Sequence, residues 1–279
     1  MARVEKILFS DDHTPVAKGV QAVIDNEEFI FQAKDMVIIA AGFQSPVLLQ
    51  LSGIGPKSVL KAAGIDVVFD NPNVGAKMVN HPIFTLTGTG VVPVDPNPDP
   101  NNLYTGGAFL PDPTQGNQNR SFQWIGIAGP GSFTIAALLL DAKSQGTIGV
   151  FGSNPIRMPN IQFNYWSDPA DMTSALACYG QMYATLTGMG LTPLGPNPAS
   201  PMDVQTYILT TYNEAYHWVG SCSMGTSAAT AVVDSSGRVF GVKNLRVADI
   251  TISPFNCLGN TQGIAYLIGN IIANKILND

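Results

Sequence analysis

Residues 36–82 read MVIIAAGFQSPVLLQLSGIGPKSVLKAAGIDVVFDNPNVGAKMVNHP. The opening MVIIAA is a short continuous apolar run, the pattern of a strand buried on both faces. After Gly42, Ser45 can cap a helix and Pro46 suits its first position. Leu48, Leu49 and Leu51 supply an apolar face, and Gly53 and Gly55 end it. KSVLKAAG (57–64) predicts a second short helix that stops at Gly64. IDVVFDNPNVG then reads as a strand and a turn. A buried strand followed by two short helices and another strand is an α/β pattern.

Upstream, residues 3–10, 17–25 and 27–34 predict the strands of a meander with a turn at Asn26. Downstream, the character changes from about residue 83 to 210. VVPVDPNPDPNNLYTGGAFLPDPTQGNQNRS (91–121) is rich in Pro, Asn, Asp and Gly and reads as a long functional loop or lid. GTIGVFGS and PNIQFNYW predict antiparallel strands. Residues 168–190 predict a helix capped by Asp168 or Asp171. From residue 216 onward come short strands, AVVD, RVFGV and LRVADI, and a closing amphipathic helix from about Thr261. The order is α/β at both ends with an antiparallel middle, and no internal repeat is evident.

The chain has 279 residues, 45% of them hydrophobic and 12% charged, so it can bury a sizeable core. A net charge of −6 argues against a nucleic-acid partner, which calls for basic patches. No apolar run reaches the roughly 20 residues of a membrane helix. Cys178, Cys222 and Cys257 have no CxxC spacing, so neither a zinc site nor a disulfide framework is indicated. No signal-peptide pattern precedes the first strand. Asn119-Arg120-Ser121 is a glycosylation sequon, of use only to a secreted chain.

His217 sits in EAYHWVGSCSMGT (214–226) between two aromatics and a run of small residues. It reads as a core histidine satisfied by a hydrogen bond, or as a base. A metal reading needs more ligands, and His13 and His81 lie in unrelated segments. Downstream, NLRVADITISPFNCLGNTQGIAYLIGNIIANKIL (244–277) predicts a strand ending in Asp249, a proline turn, and a helix opened by Asn260-Thr261-Gln262. A helix start offers free N–H groups and a positive dipole end to an anionic ring or phosphate. Asn260 also reads as an ordinary N-cap.

The two blocks YHWVGSCSMGT and AVVDSSGRVFGVKNLRVADITISPFNCLGNTQG, together with 36–82, AKSQGTIGV and PNIQFNYWSDPADM, resemble the glucose–methanol–choline (GMC) flavoprotein oxidoreductases, in family order and over most of the chain. The resemblance implies an α/β (α+β) fold: part of an FAD-binding domain over 1–82 and 211–279, and between them, over 83–210, a substrate domain built on an antiparallel sheet with helices. It implies FAD as cofactor and a small-molecule alcohol as substrate, oxidised at its CH–OH group. His217 falls on the family's catalytic base and Asn260 on the second His or Asn of the pair. An imidazole suits that proton transfer near neutral pH. An amide cannot act as a base, but it can orient the substrate oxygen. For FAD, the resemblance implies Asp249 near the ribityl–pyrophosphate with Ile250 lending its backbone. It also implies Thr261 and Gln262 at the pyrimidine edge, Trp218 along the isoalloxazine and the backbone of Val4 at the adenine.

Two departures stand out. Ala40-Ala41-Gly42 places the signature glycine one position late, which is tolerable if φ of the alanine stays negative. The family's opening strand, GxGxxG turn and helix have no counterpart here. The chain thus reads as the C-terminal portion of such a protein, expected to hold FAD weakly alone and to need an N-terminal FAD-binding portion or partner chain. A redox-neutral lyase or cyclase on the same fold, and a non-catalytic remnant, are the alternatives. Phe109, Phe122, Trp124, Phe133 and Trp166 suggest an apolar or aromatic alcohol. Relatives of the fungal type suggest secretion.

Overall fold

The computed structural model describes residues 2–92, 104–115 and 121–279. The meander forms as expected: β1 (Ala2–Phe9), β2 (Ala17–Ile24) and β3 (Glu27–Gln32) make a three-stranded antiparallel sheet. Its β2–β3 turn places Asp25 and Asn26 at φ 50° and 69°, the left-handed pair of a tight hairpin. One face buries Ile7, Ala17 and Ala22, while every residue of β3 is exposed.

Of the apolar run at 36–41, only β4 (Val37–Ile39) is a strand. Ala41 keeps a negative φ of −94°, so the shifted signature costs nothing there, and Gly42 takes the left-handed turn at +55°. Then come α1 (Ser45–Leu51), β5 (Ile54–Gly55), α2 (Lys57–Ala62) and β6 (Phe69–Asp70), with β5 and β6 parallel. Two expectations need correction. Ser45 is the first helical residue rather than a cap, because its hydroxyl is taken by Asp249. The buried face of α1 is Val47, Leu49 and Gln50, a rotation away from Leu48 and Leu51. Gly64 stops the second helix at φ +69°.

The middle of the chain is a sheet in which β13 (Thr192–Pro193), β7 (Pro82–Thr89), β10 (Ser132–Leu139), β9 (Phe122–Gly129) and β8 (Gly106–Leu110) follow one another in that order, and β14 (Asn213–Glu214) adds to β7. After the antiparallel pair β11 (Thr147–Gly149) and β12 (Asn160–Gln162) come α3 (Pro169–Gly188), β13 (Thr192–Pro193), α4 (Pro201–Thr211) and β14 (Asn213–Glu214). Asp168 caps α3 by accepting from the Ala170 N–H at 2.9 Å, while Asp171 accepts from the N–H groups of Lys143 and Ser144. The expected loop at 91–121 contains β8, which pairs with β9 from Gly106 to Leu110. Its remaining residues 93–103 and 116–120, with the sequon's Asn119, lie outside the described residues.

AVVD and RVFGV are not strands. The Asp234 carboxylate accepts from the N–H groups of Ser236 and Arg238 and ties a turn, leaving isolated bridges, Val233 with Val239 and with Met224 and Arg238 with Arg246, in place of a ladder. LRVADI yields β15 (Leu245–Val247), parallel to β4, and the chain closes with α5 (Gln262–Leu277).

Three apolar clusters hold these pieces. Phe84, Leu86, Phe122, Tyr179 and Met182 pack the middle sheet against α3 and α4. Ile7, Ile39, Leu49, Val232, Val247 and Ile272 join the two ends of the chain. Leu60, Met78 and Ile148 form the third, with Trp218 against it. Each fully buried aliphatic of this kind contributes about 1.5–3 kcal/mol.

Candidate active site

Residues 77–81 and 217–221 run antiparallel. The N–H and C=O groups of Val79 and Val219 bond reciprocally at 3.0 Å. Gly220 sits at φ +85°, where a Cβ would lie 2.3 Å from the Lys77 carbonyl oxygen, so only glycine permits this approach. Counting out from Val79 and Val219 sets His81 opposite His217. The β14–β7 pairing beyond them, Glu214 with Pro82, is offset from that register. The offset is absorbed around Tyr216, a non-glycine residue at φ +58°.

The two histidines meet through their Nδ1 atoms at 2.9 Å, ring edge to ring face at 88°. The expectation that His81 lies in an unrelated segment was therefore wrong. The 136 residues between them are bridged by the strand crossing just described. A metal reading gains nothing from this, since no third His, Cys, Asp or Glu joins the pair among the described residues.

Asn80 holds the pair. Its Oδ1 accepts from the backbone N–H of His81 at 2.9 Å and of His217 at 2.8 Å. Its Nδ2 donates to the Tyr165 hydroxyl at 2.5 Å and to Glu214 at 3.3 Å. From the other side, Asn256 Nδ2 donates to the His217 carbonyl at 3.0 Å. None of Asn80, His81 or Asn256 was legible as a site residue.

Burial sets the electrostatics. His81 is fully buried. That burial, with His217 beside it, lowers its pKa to about 3, against a smaller pull upward from the Cys257 and Leu140 backbone. His217 is half-buried, and desolvation lowers its pKa below the usual imidazole range. Both rings are neutral at pH 7. Nε2 of His217 has no hydrogen-bond partner among the described residues, so a neutral His217 with its proton on Nδ1 presents a free lone pair there.

The other sequence-predicted residues fall around this pair unevenly. Trp218 packs against Phe43 at 4.5 Å and Phe163 at 6.4 Å between ring centroids, and its buried Nε1 finds no partner among the described residues. Asn260 is exposed and does not cap α5. That position is Thr261, which makes no side-chain cap bond. With no acid in the first turn, the positive end of α5 stands open at Gln262 and Gly263, both exposed.

Asp249 is saturated within the protein. Its Oδ2 accepts from the Gly42 N–H at 3.0 Å and the Ser45 hydroxyl at 2.5 Å, and its Oδ1 accepts from the N–H and hydroxyl of Thr251 at 2.9 and 2.6 Å. What the 249–251 turn can offer a ligand is its backbone, including that of the half-buried Ile250. Val4, 44% exposed on β1, belongs to the three-stranded sheet and not to the histidine cluster.

Of the aromatics expected to line the substrate, Phe122, Trp124, Phe133 and Trp166 pack the middle core. Phe109 differs. A Cβ on Gly259 would lie 3.8 Å from its ring, which puts β8 against the loop that leads to Asn260.

Two models of one family, both described as GMC oxidoreductase, match residues 1–83 and 142–269. An oxygen-dependent choline dehydrogenase of Rhizobium rhizogenes is 30% identical over 94% of this chain and 55% of its own length. Versicolorin B synthase of Aspergillus parasiticus is 28% identical over 98% of the chain and 50% of its own length. A solved structure of Aspergillus oryzae formate oxidase, a variant made to study FAD modification, superimposes with TM-score 0.88 at 20% identity, over 99% of this chain and 60% of that one. The chain spans about half the length of the curated relatives it matches.

Proposed function

The chain belongs to the GMC oxidoreductase family, and from that premise we propose that it supplies the catalytic-base half of an enzyme that oxidises the CH–OH group of an alcohol with FAD. The observation that carries this reading is the half-buried, neutral His217, held by Asn80 and Asn256 at its backbone with Nε2 unengaged among the described residues.

The residues present fit a flavin in two respects. The start of α5 is uncapped and open, suited to the electron-rich pyrimidine edge of the ring. The buried Trp218 Nε1 has no partner among the described residues. FAD, when bound, supplies a hydride acceptor at N5.

The chain's own work is proton handling and orientation. His217 Nε2 takes the hydroxyl proton, at an imidazole that desolvation keeps neutral near pH 7. The Asn260 amide donates to the substrate oxygen and stabilises developing alkoxide charge. Thr261 and Gln262 offer N–H groups to the pyrimidine edge, and Trp218 flanks the ring. Ile250 and the 249–251 backbone serve the ribityl–pyrophosphate, with Asp249 as the clamp that shapes them. The Val4 backbone serves the adenine. Residues 83–210 form the substrate side, where Phe109 favours an apolar or aromatic alcohol.

The pyrophosphate grip belongs to an amino-terminal portion with a GxGxxG turn. Two features support a partner of that kind. The parallel pair β4–β15 has only two strands among the described residues, and parallel strands are normally covered and extended. Ile38 on β4 and Tyr266 and Leu267 on α5 are also exposed apolar side chains.

The test is flavin retention. The purified chain is mixed with FAD and desalted, alone and co-expressed with such a portion. Flavin absorbance in the complex, weak or absent in the chain alone, supports the reading. No flavin in either contradicts it. A second reading, a redox-neutral reaction at the same site, is favoured by the relative named a synthase. It predicts a bound flavin that no alcohol bleaches.

A further inference from the structure

We propose that His81 is a positioning residue for the proton transfer. Its Nδ1 accepts the hydrogen on His217 Nδ1 and so fixes His217 in the tautomer whose Nε2 lone pair is open to substrate. The proposal rests on His217 being the base and adds the partner that sets its protonation pattern.

The geometry leaves two arrangements. The Nδ1 atoms are 2.9 Å apart, so one hydrogen lies between them. If it belongs to His81, its Nε2 must be a bare lone pair, and His217 must carry its proton on Nε2, where it can only donate. If it belongs to His217, His81 carries its proton on Nε2 and His217 Nε2 is free. The role of His217 chooses between them: a base needs its lone pair on the nitrogen open to substrate, and His217 Nε2 is the ring nitrogen without a partner among the described residues, so the shared hydrogen belongs to His217 Nδ1 and His81 Nδ1 accepts it. His81 then carries its proton on Nε2, which is buried with no hydrogen-bond partner among the described residues.

Two further facts make His81 a fixed acceptor. It is fully buried, so taking a second proton would place an unpaired charge in the interior. The backbones of both histidines hang on the one Asn80 oxygen, which holds the two main-chain positions, and so the origins of the two rings, at a fixed separation. The charged and titratable groups nearby act elsewhere: Glu214 and Tyr165 bond to Asn80, and the Cys257 thiol to the Gly259 carbonyl. Among the described residues no carboxylate bonds either ring. A neutral imidazole therefore orients the base where a carboxylate often does. A neutral partner stabilises the protonated base less than a carboxylate would, which keeps His217 deprotonated to lower pH.

The chain has three histidines, so ¹⁵N-histidine labelling gives an assignable spectrum. Long-range ¹H–¹⁵N correlation at neutral pH should show His217 protonated at Nδ1 and bare at Nε2, with His81 the reverse. In His81→Leu, which keeps bulk but removes the acceptor, His217 should shift toward the Nε2–H form. In His81→Asn, whose Oδ1 lies near the place of Nδ1, the native pattern should return. In the FAD-loaded enzyme, His81→Leu should lower kcat on the order of 10²-fold, with a smaller change in KM, and His81→Asn should recover most of it. A wild-type His217 carrying its proton on Nε2 overturns the proposal, as does an unchanged tautomer in His81→Leu. Should that variant fail to fold, the wild-type spectrum decides alone. Absence of alcohol oxidation would defeat the functional reading and leave the tautomer result standing.

Discussion

The Asn80 side-chain oxygen accepts from the His217 backbone N–H at 2.8 Å, across 137 residues of chain. The same oxygen also takes the His81 N–H, so one buried amide sets the backbone of both histidines. Asn80→Ala leaves two N–H groups without a partner in a half-buried to buried setting, at about 1–3 kcal/mol each. Urea unfolding should show a loss of about 2 kcal/mol or more. A loss under 0.5 kcal/mol would mean that water replaces the amide at little cost.

Asp249 ties the turn at Gly42 to the turn at Thr251 through four accepted hydrogen bonds. Asp249→Ala should destabilise the chain by about 3 kcal/mol, given the cost of stranding several buried donors. Amide exchange should accelerate at Gly42 and Thr251 before it does in α3. Unchanged exchange at those two amides would refute the clamp.

His81 makes stability depend on pH. Its pKa is about 3 in the fold against 6.5 unfolded, so between these values the unfolded chain binds the extra proton. The contribution is complete above pH 6.5 and is lost as pH falls toward 3, at up to about 1.4 kcal/mol per pH unit. Denaturation at pH 7, 6, 5 and 4 should show a steeper decline in the wild type than in His81→Asn. Parallel curves would place the buried His81 outside this account.

Much of the fold was legible from local pattern. The β1–β3 meander, the helices α2 and α3, strands at the places of β4 and β15 and the closing helix follow from apolar runs, turn residues and caps, but the parallel pairing of β4 with β15 was not read from them. What failed was long-range. Ser45 looked like a cap because its true partner, Asp249, is 204 residues away. β8 was hidden because its five residues carry two glycines and sit among prolines and asparagines, and its strand character comes from pairing with β9. AVVD and RVFGV carry β-branched residues, but the Asp234 turn consumes the hydrogen bonds a ladder would use. At the site, His217 stood out by its neighbours, whereas His81 could only be found once the Val79–Val219 crossing was known. The Asn260 cap was misread because the helix starts one residue later than Asn260 would require.

The most direct test of the central claim is anaerobic bleaching of the FAD-loaded protein by a panel of alcohols, wild type against His217→Ala. Since desolvation lowers the His217 pKa, the wild-type rate should be flat near neutral pH and fall only below the usual imidazole range. His217→Ala should slow flavin reduction by about 10²–10⁴-fold. Bleaching that survives His217→Ala at the wild-type rate, or a flavin that no CH–OH donor reduces, would contradict the account.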